Sequence, residues 1–251
     1  MPWLGTRFDG KRTLLITAHP DDECMFFGPG VTCLLAKSEM FVLCLSTGNA
    51  DGLGSVRARE LVGACTALGL PASHVSVVDR EDAFADGQAN LWRASHVADC
   101  ITEHVARWKI DTLLTFDAHG VSGHANHIAV WHGACVCLDR EEQVGTAAGC
   151  LTLWSLQSKP LWRKYMIPID LALSWWEVYD ETTSRSAASP SAAARSNGGL
   201  AMALSTPRQI RTTWRAMLQH RSQLVWFRWL YLLFASFMLL NTLVRRQPPR
   251  S

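Results

Sequence analysis

Four residues in two short segments have the side chains and the spacing to share one divalent cation: His19 and Asp22 in TAHPDDE, and His124 and His127 in GVSGHANH. An imidazole nitrogen and a carboxylate oxygen three residues apart, just past an apolar run, can converge on one ion. A His, Asp, His set leaves a fourth position open, the ligand count of a catalytic zinc and not of a closed structural one. His19, Asp22 and His127 are the expected ligands. A bound ion also accounts for three consecutive acids, Asp21, Asp22 and Glu23, whose repulsion is otherwise uncompensated. Asp21 adjoins the ligands without having to bind. It is the expected general base toward water, whose pKa falls to about 7 at zinc sites. His124 is expected to face the oxyanion of a tetrahedral intermediate or to protonate a leaving amine. Neither motif sets a Ser or Cys nucleophile next to this pair, so the chemistry indicated is direct hydrolysis of an amide or ester. Glu23 is left to orient a neighbour or cap the following helix.

Two segments about a hundred residues apart must then be brought to one place. Short apolar runs, TLLITA, MFVLCLS, HVSVVD and DTLLTFD, alternate with helix-length segments at 24–37, 55–69, 91–108 and 126–139. That alternation indicates parallel β-α units, and the uniformly apolar runs indicate strands covered on both faces. The expected fold is α/β, a Rossmann-like three-layer sandwich with a mostly parallel sheet. Ligands of such sheets bind beyond the carboxyl ends of the strands, here His19 to Glu23, Thr47 to Gly54, Asp79 to Asp86 and Asp117 to His127. Beyond residue 150, LTLWSL and KYMIPIDL read as further strands and LALSWWEVYD as strand or buried helix. The stretch 182–207 is rich in Ser, Ala, Gly and Pro, too poor in large apolar groups to offset the entropy of ordering, and reads as a mobile insertion. Residues 1–181 then form the catalytic-size domain, and 208–251 a C-terminal segment ending in a hydrophobic helix.

Composition narrows the class. The 251 residues suffice for one large domain with a real core, 48% being hydrophobic and 18% charged. A formal net charge of +2 gives no support to a nucleic-acid partner. The eight cysteines lie mostly in apolar segments without paired short-loop spacing, and read as buried thiols in a reducing compartment. MPWLGTRFDGKRT lacks the apolar core of a signal peptide or anchor, so the main domain is expected on the cytosolic side.

AHPDDE at 18–23, TFD with GVSGHANH over 115–127, and HRSQLVWFRWLY at 220–231 together resemble the metal-dependent sugar de-N-acetylases typified by PIG-L and the bacterial LmbE-like deacetylases. The likeness covers most of 12–180 and 208–244, and is nearer the eukaryotic branch. It implies de-N-acetylation of N-acetylglucosaminyl-phosphatidylinositol, the second step of glycosylphosphatidylinositol anchor synthesis, at the cytosolic face of the endoplasmic reticulum membrane. It maps zinc onto His19, Asp22 and His127, the base onto Asp21 and the oxyanion or acid role onto His124. Arg57 in GSVRAREL matches an arginine of the family pattern, and its guanidinium fork would suit the substrate phosphate. Ser55 replaces the glutamate usual two residues before that arginine, Asn126 stands where bacterial members carry aspartate, and the amino-terminal membrane helix of the animal branch is missing. Zinc is one of several divalent ions, with iron and manganese, that such donors accept.

Membrane attachment therefore needs another source. LVWFRWLYLLFASFMLL, Leu224 to Leu240, falls short of the ~20 residues of a spanning helix and contains Arg228. Trp226, Trp229 and Tyr231 suit a headgroup interface, and Arg221, Arg228, Arg245 and Arg246 suit anionic lipid, so an interfacial helix is expected to hold the chain on its glycolipid substrate's surface. Two rivals remain: a deacetylase of a soluble amino sugar, and a non-catalytic glycolipid-binding or assembly subunit.

Overall fold

The run RTLLIT forms β1 (Arg12–Thr17), buried from Thr13 onward because it has a parallel strand on each side. The computed structural model of the chain describes residues 7–87, 91–144, 151–187 and 199–246. In it β1 lies between β2 (Glu39–Cys44) and β4 (Thr112–Phe116), with Leu15 opposite Val42 on one side and Leu114 on the other. The short β3 (Val75–Val77) extends the sheet beyond β2, and β5 (Thr152–Leu156) lies parallel to β4. Two further strands, β6 (Gly199–Leu204) and β7 (Leu240–Arg245), close the order as β3-β2-β1-β4-β5-β7-β6. β7 runs antiparallel to both of its neighbours. Helices cover both faces, as expected for a mostly parallel sheet.

The helices that matter to the site are α1 (Asp22–Met25), α2 (Gly28–Leu34), α3 (Gly54–Leu68), α4 (Ala94–Trp108) and α5 (Ala125–Val144). After β5 come α6 (Leu161–Tyr165), α7 (Ile167–Ala187), α8 (Pro207–Met217) and α9 (Trp226–Phe234). α4 packs on α5, while α8 packs on α2 and α3. Thr206 caps α8 in a reciprocal capping box with Gln209, and Pro207 takes the first-turn position where its missing N–H is harmless.

The strand order reverses between β1 and β4. The chain leaves β1 for β2 on one side and later returns to β4 on the other, so the loops after these two strands diverge and leave a crevice. Those loops carry the two histidine motifs.

Past residue 156 the sequence reading needs correction. KYMIPIDL is not a strand; it spans the end of α6 and the start of α7, and LALSWWEVYD continues that helix. Within 182–207, residues 188–198 lie outside the described residues, the first six complete α7, and GLAMAL is β6, which pairs with β7 and packs on α7. The expected C-terminal hydrophobic helix is not formed. Its apolar run divides into the nine-residue α9, a 3-10 turn at Ser236–Met238, and β7. Asn241 explains part of the division. From β7 its Oδ1 accepts the Gly30 N–H (2.8 Å) and its Nδ2 donates to the Phe26 carbonyl (2.8 Å), so the last strand braces the backbone just after the first motif.

Candidate active site

The first motif turns sharply out of β1. Asp22 Oδ2 accepts the N–H groups of Ala18 (3.1 Å) and His19 (2.9 Å), which closes the loop on the carboxylate. Asp21 takes φ 108°, unusual for a residue with a Cβ, and its N–H donates to Glu23 Oε2 (3.1 Å). Glu23 therefore orients a neighbour, one of its two expected roles. Its other oxygen meets His220 Nε2 at 2.6 Å, both side chains being fully buried.

The second loop is built from β4. Asp117 accepts the Ser158 N–H and hydroxyl, both at 2.6 Å, and the His119 N–H at 3.0 Å; the Ser158 oxygen in turn accepts the Val121 N–H at 2.8 Å. This holds Val121 at φ 64°, the second strained residue beside the site. α5 then begins with Asn126 and His127 directed at the first motif.

The two motifs meet. Nitrogens of His19, His124 and His127 lie within 4.8 Å of one another. The Asp22 carboxylate joins them, Oδ1 3.3 Å from His127 Nε2 and Oδ2 3.9 Å from His19 Nδ1. His127 is held rigidly, stacked on Phe116 with 3.9 Å between centroids, its Nδ1 donating to the Gly120 carbonyl at 3.2 Å. That bond places the ring proton on Nδ1 and the lone pair on Nε2. Nε2 is buried and has no hydrogen-bond partner among the described residues. An orphaned imidazole lone pair facing a carboxylate, with the other ring nitrogen on a carbonyl, is the arrangement of a metal-ligating histidine. The donor set fits a divalent ion.

Burial opposes charge on Asp22, but whenever the His127 or His19 ring is protonated its positive charge, with the His19 backbone N–H, outweighs burial and holds the carboxyl below its usual range. Asp21 goes the other way: burial raises it, Arg228 pulls against that, and Asp22 pushes it further up. Burial works against a proton on His19, yet its bond with Asp86 and the charge of Asp22 leave it raised. His124 is pushed down to about 4 by burial and by its two histidine neighbours. Its Nδ1 accepts the Asn126 N–H (3.3 Å), so the neutral ring carries its proton on Nε2. The ring presents a neutral N–H donor and not an imidazolium.

Arg57 is 8% exposed. Its fork is engaged by the backbone, Nη1 donating to the Gly48 carbonyl (2.8 Å) and Nη2 to that of Pro20 (3.0 Å).

Three residues joined to the site were given no role in it by the sequence. Asp86 Oδ1 is 3.0 Å from His19 Nε2; its loop follows β3, one of the strand ends already marked as ligand-facing. His220, at the head of the third motif, supports Glu23. Arg228 of α9 reaches Asp21 Oδ2 with Nη2 at 2.9 Å. Arg228 and Tyr231 thus face inward, Tyr231 donating to the Met25 carbonyl, and Arg246 binds the Cys135 carbonyl and Asp139, so these three do not form the lipid-facing set expected of them.

A mostly parallel sheet with histidines and a carboxylate gathered at its switch point defines the class, that of the LmbE-like deacetylases. The solved structure of the zinc-inhibited form of teicoplanin deacetylase Orf2 matches with TM-score 0.61 and 14% identity, covering 96% of this chain and 100% of that one. The family model PIG-L, GlcNAc-PI de-N-acetylase, matches residues 14–137. N-acetylglucosaminyl-phosphatidylinositol de-N-acetylase of Bos taurus is 38% identical over 235 residues, 93% of this chain and 83% of the relative. The probable N-acetylglucosaminyl-phosphatidylinositol de-N-acetylase of Schizosaccharomyces pombe is 36% identical over 236 residues, 92% and 86% of the two chains. The chain belongs to the PIG-L family of GlcNAc-PI de-N-acetylases.

Proposed function

We propose that this chain hydrolyses the N-acetyl group of N-acetylglucosaminyl-phosphatidylinositol in glycosylphosphatidylinositol anchor biosynthesis, using zinc or another divalent ion held by His19, Asp22 and His127. The observation that carries the reading is the orphaned Nε2 of His127 turned toward Asp22 Oδ1 in a family of de-N-acetylases. A divalent ion in such a site supplies Lewis-acid polarisation of a carbonyl and activates water near neutral pH. The protein's own groups do the rest. Arg228 holds Oδ2 of Asp21, leaving Oδ1 to take the proton of the attacking water and return it to the departing amine. The His124 Nε2–H donates to the amide oxygen as negative charge gathers there. Arg57 serves substrate binding from the wall, by fixing the Pro20 and Gly48 carbonyls on two loops that bound the crevice.

Purified protein is expected to release acetate from the glycolipid and to contain bound metal, and His127→Ala to lose both metal and turnover while its circular dichroism stays native. A metal-loaded wild-type protein that releases no acetate from this substrate would disprove the reading.

The substrate's acyl chains leave a bilayer only at large hydrophobic cost, so the enzyme must work at the surface, here assigned to the cytosolic face of the endoplasmic reticulum. Among the described residues no helix is long and apolar enough to cross a membrane. α6, α7 and α9 instead gather on the turn Ser236–Met238 and expose large apolar groups beside the site, among them Leu161 (73%), Trp226 (76%) and Leu233 (55%). This platform is proposed to lie in the headgroup region. Trp226→Ser with Leu230→Ser and Leu233→Ser should lower cosedimentation with phosphatidylcholine vesicles at least tenfold. Unchanged binding would exclude α9 as the anchor.

A further inference from the structure

Lys164 on α6 is a cation without a carboxylate. Its Nζ lies among four aromatic rings, 5.2 Å from the centroid of Tyr231, 5.7 Å from Tyr165, 5.9 Å from Phe237 and 6.0 Å from Phe26. No ion pair joins it to an acid among the described residues. The contrast with Lys159, five residues earlier, is sharp, since that ammonium is buried against Asp170. Aromatic faces attract an ammonium but do not replace a counter-charge when water is largely withdrawn.

A second cation stands next to it. Arg228 gives one nitrogen to Asp21, but among the described residues its Nη1 meets only the sulfur of Met25, a weak acceptor, and its buried Nε has no partner. Tyr231 connects the two, its hydroxyl donating to the Met25 carbonyl (3.0 Å) and its ring beside Lys164. Burial and the nearby guanidinium both lower the Lys164 pKa. Phe26 separates Lys164 from the metal cluster, its ring 5.7 Å from that of His127. On the other side lie the exposed apolar groups of α6 and α9. Two under-satisfied cations therefore sit between the place where an acetamide would react and the place where acyl chains would rest.

We infer that Lys164 and Arg228 form the subsite for the phosphodiester of the substrate. The inference rests on the proposed activity. In a glycosylated phosphatidylinositol the phosphodiester stands between the sugar-bearing inositol and the diacylglycerol, so its place along the molecule corresponds to the place of this pair between cluster and platform. It also answers what the committed fork of Arg57 leaves open. Lys164 is then a specificity-determining residue for a phosphate-bearing substrate, and Arg228 joins the phosphate edge to the carboxylate of Asp21.

The test uses the full-length chain and three substrates: N-acetylglucosaminyl-inositol, its soluble 1-phosphate, and the diacyl lipid in neutral phosphatidylcholine vesicles. For Lys164→Met, the ratio of kcat/KM on either phosphate-bearing substrate to that on the phosphate-free one should fall roughly tenfold, the worth of one charge-assisted contact. The loss should lie mainly in KM, and Lys164→Arg should restore most of the ratio. An unchanged ratio overturns the inference, whether activity overall is kept or lost, and so does a penalty that appears only when anionic lipid is added to the vesicles, since the cation then reads bulk headgroups. A wild-type protein inactive on all three substrates is a different result, one that removes the proposed activity itself.

Discussion

Asp21→Asn should keep the bound metal and lower kcat by about 10²- to 10⁴-fold, the range in which general acid–base groups contribute. The substitution removes the proton acceptor and little else. Asparagine is nearly isosteric, and it is among the residues that best tolerate positive φ, so the 108° at this position persists. The backbone N–H still reaches Glu23 and the amide oxygen can still accept from Arg228. Asp22, His19 and His127 are untouched, so metal content by atomic absorption should match wild type. KM should change far less than kcat, because the proton moves only as the reaction proceeds. A variant with full metal and an unaltered rate would remove Asp21 from the role of base. A variant with neither metal nor activity would make the residue part of the metal site instead.

The cluster proposed to hold the metal was legible in the sequence because its parts sit at strand ends. TLLITA and DTLLTFD are apolar on both faces, which marks them as central parallel strands, and the polar residues that follow each can only lie at the sheet's edge. Topology does the remaining work. β1 and β4 are neighbours, so the His19–Asp22 pair and His127 converge. Arg228 and His220 were not legible in these roles. Each reaches the first motif across about two hundred residues, and a lone arginine in a greasy run carries no sign that it will meet a carboxylate. The C-terminal reading failed for a related reason: an almost wholly apolar run has no period with which to separate helix from strand. Nothing in FASFMLLNTLV states that a strand position remains open between β5 and β6. Asn241, the polar residue that anchors the strand, gives its reason only once Gly30 and Phe26 are seen beside it. β6 was hidden differently, since Gly and Ala are poor strand formers alone, and the segment becomes a strand by pairing with β7 and packing on α7.

That same C-terminal assembly supports the second large effect, one of stability. Asp170 at the start of α7 is fully buried and bridges two cations, Lys159 through Oδ2 and Arg163 through Oδ1, while Arg163 also binds Glu177 and Ser174. Ser174 in turn bonds Thr242 of β7 at 3.2 Å, so the network ties α6 and α7 to the sheet. Removing one member of such a set leaves a buried charge uncompensated, at a cost of about 3–5 kcal/mol. For a chain of this length, that corresponds to a fall in Tm of roughly 10 °C. Asp170→Ala should show this loss in thermal and denaturant unfolding. Lys159 bears most of it, because among the described residues no other carboxylate is ion-paired with its ammonium, whereas Arg163 keeps Glu177. It follows that Lys159→Met combined with Asp170→Leu should be markedly more stable than Asp170→Ala alone, since the double change removes both the charge and its stranded partner. Because α6 carries Lys164, the single variant should also lose its preference for phosphate-bearing substrate as the helix loosens, and the double variant should recover it. Equal stability of the single and double variants would show that packing, and not ion pairing, fixes α6 and α7 on the sheet.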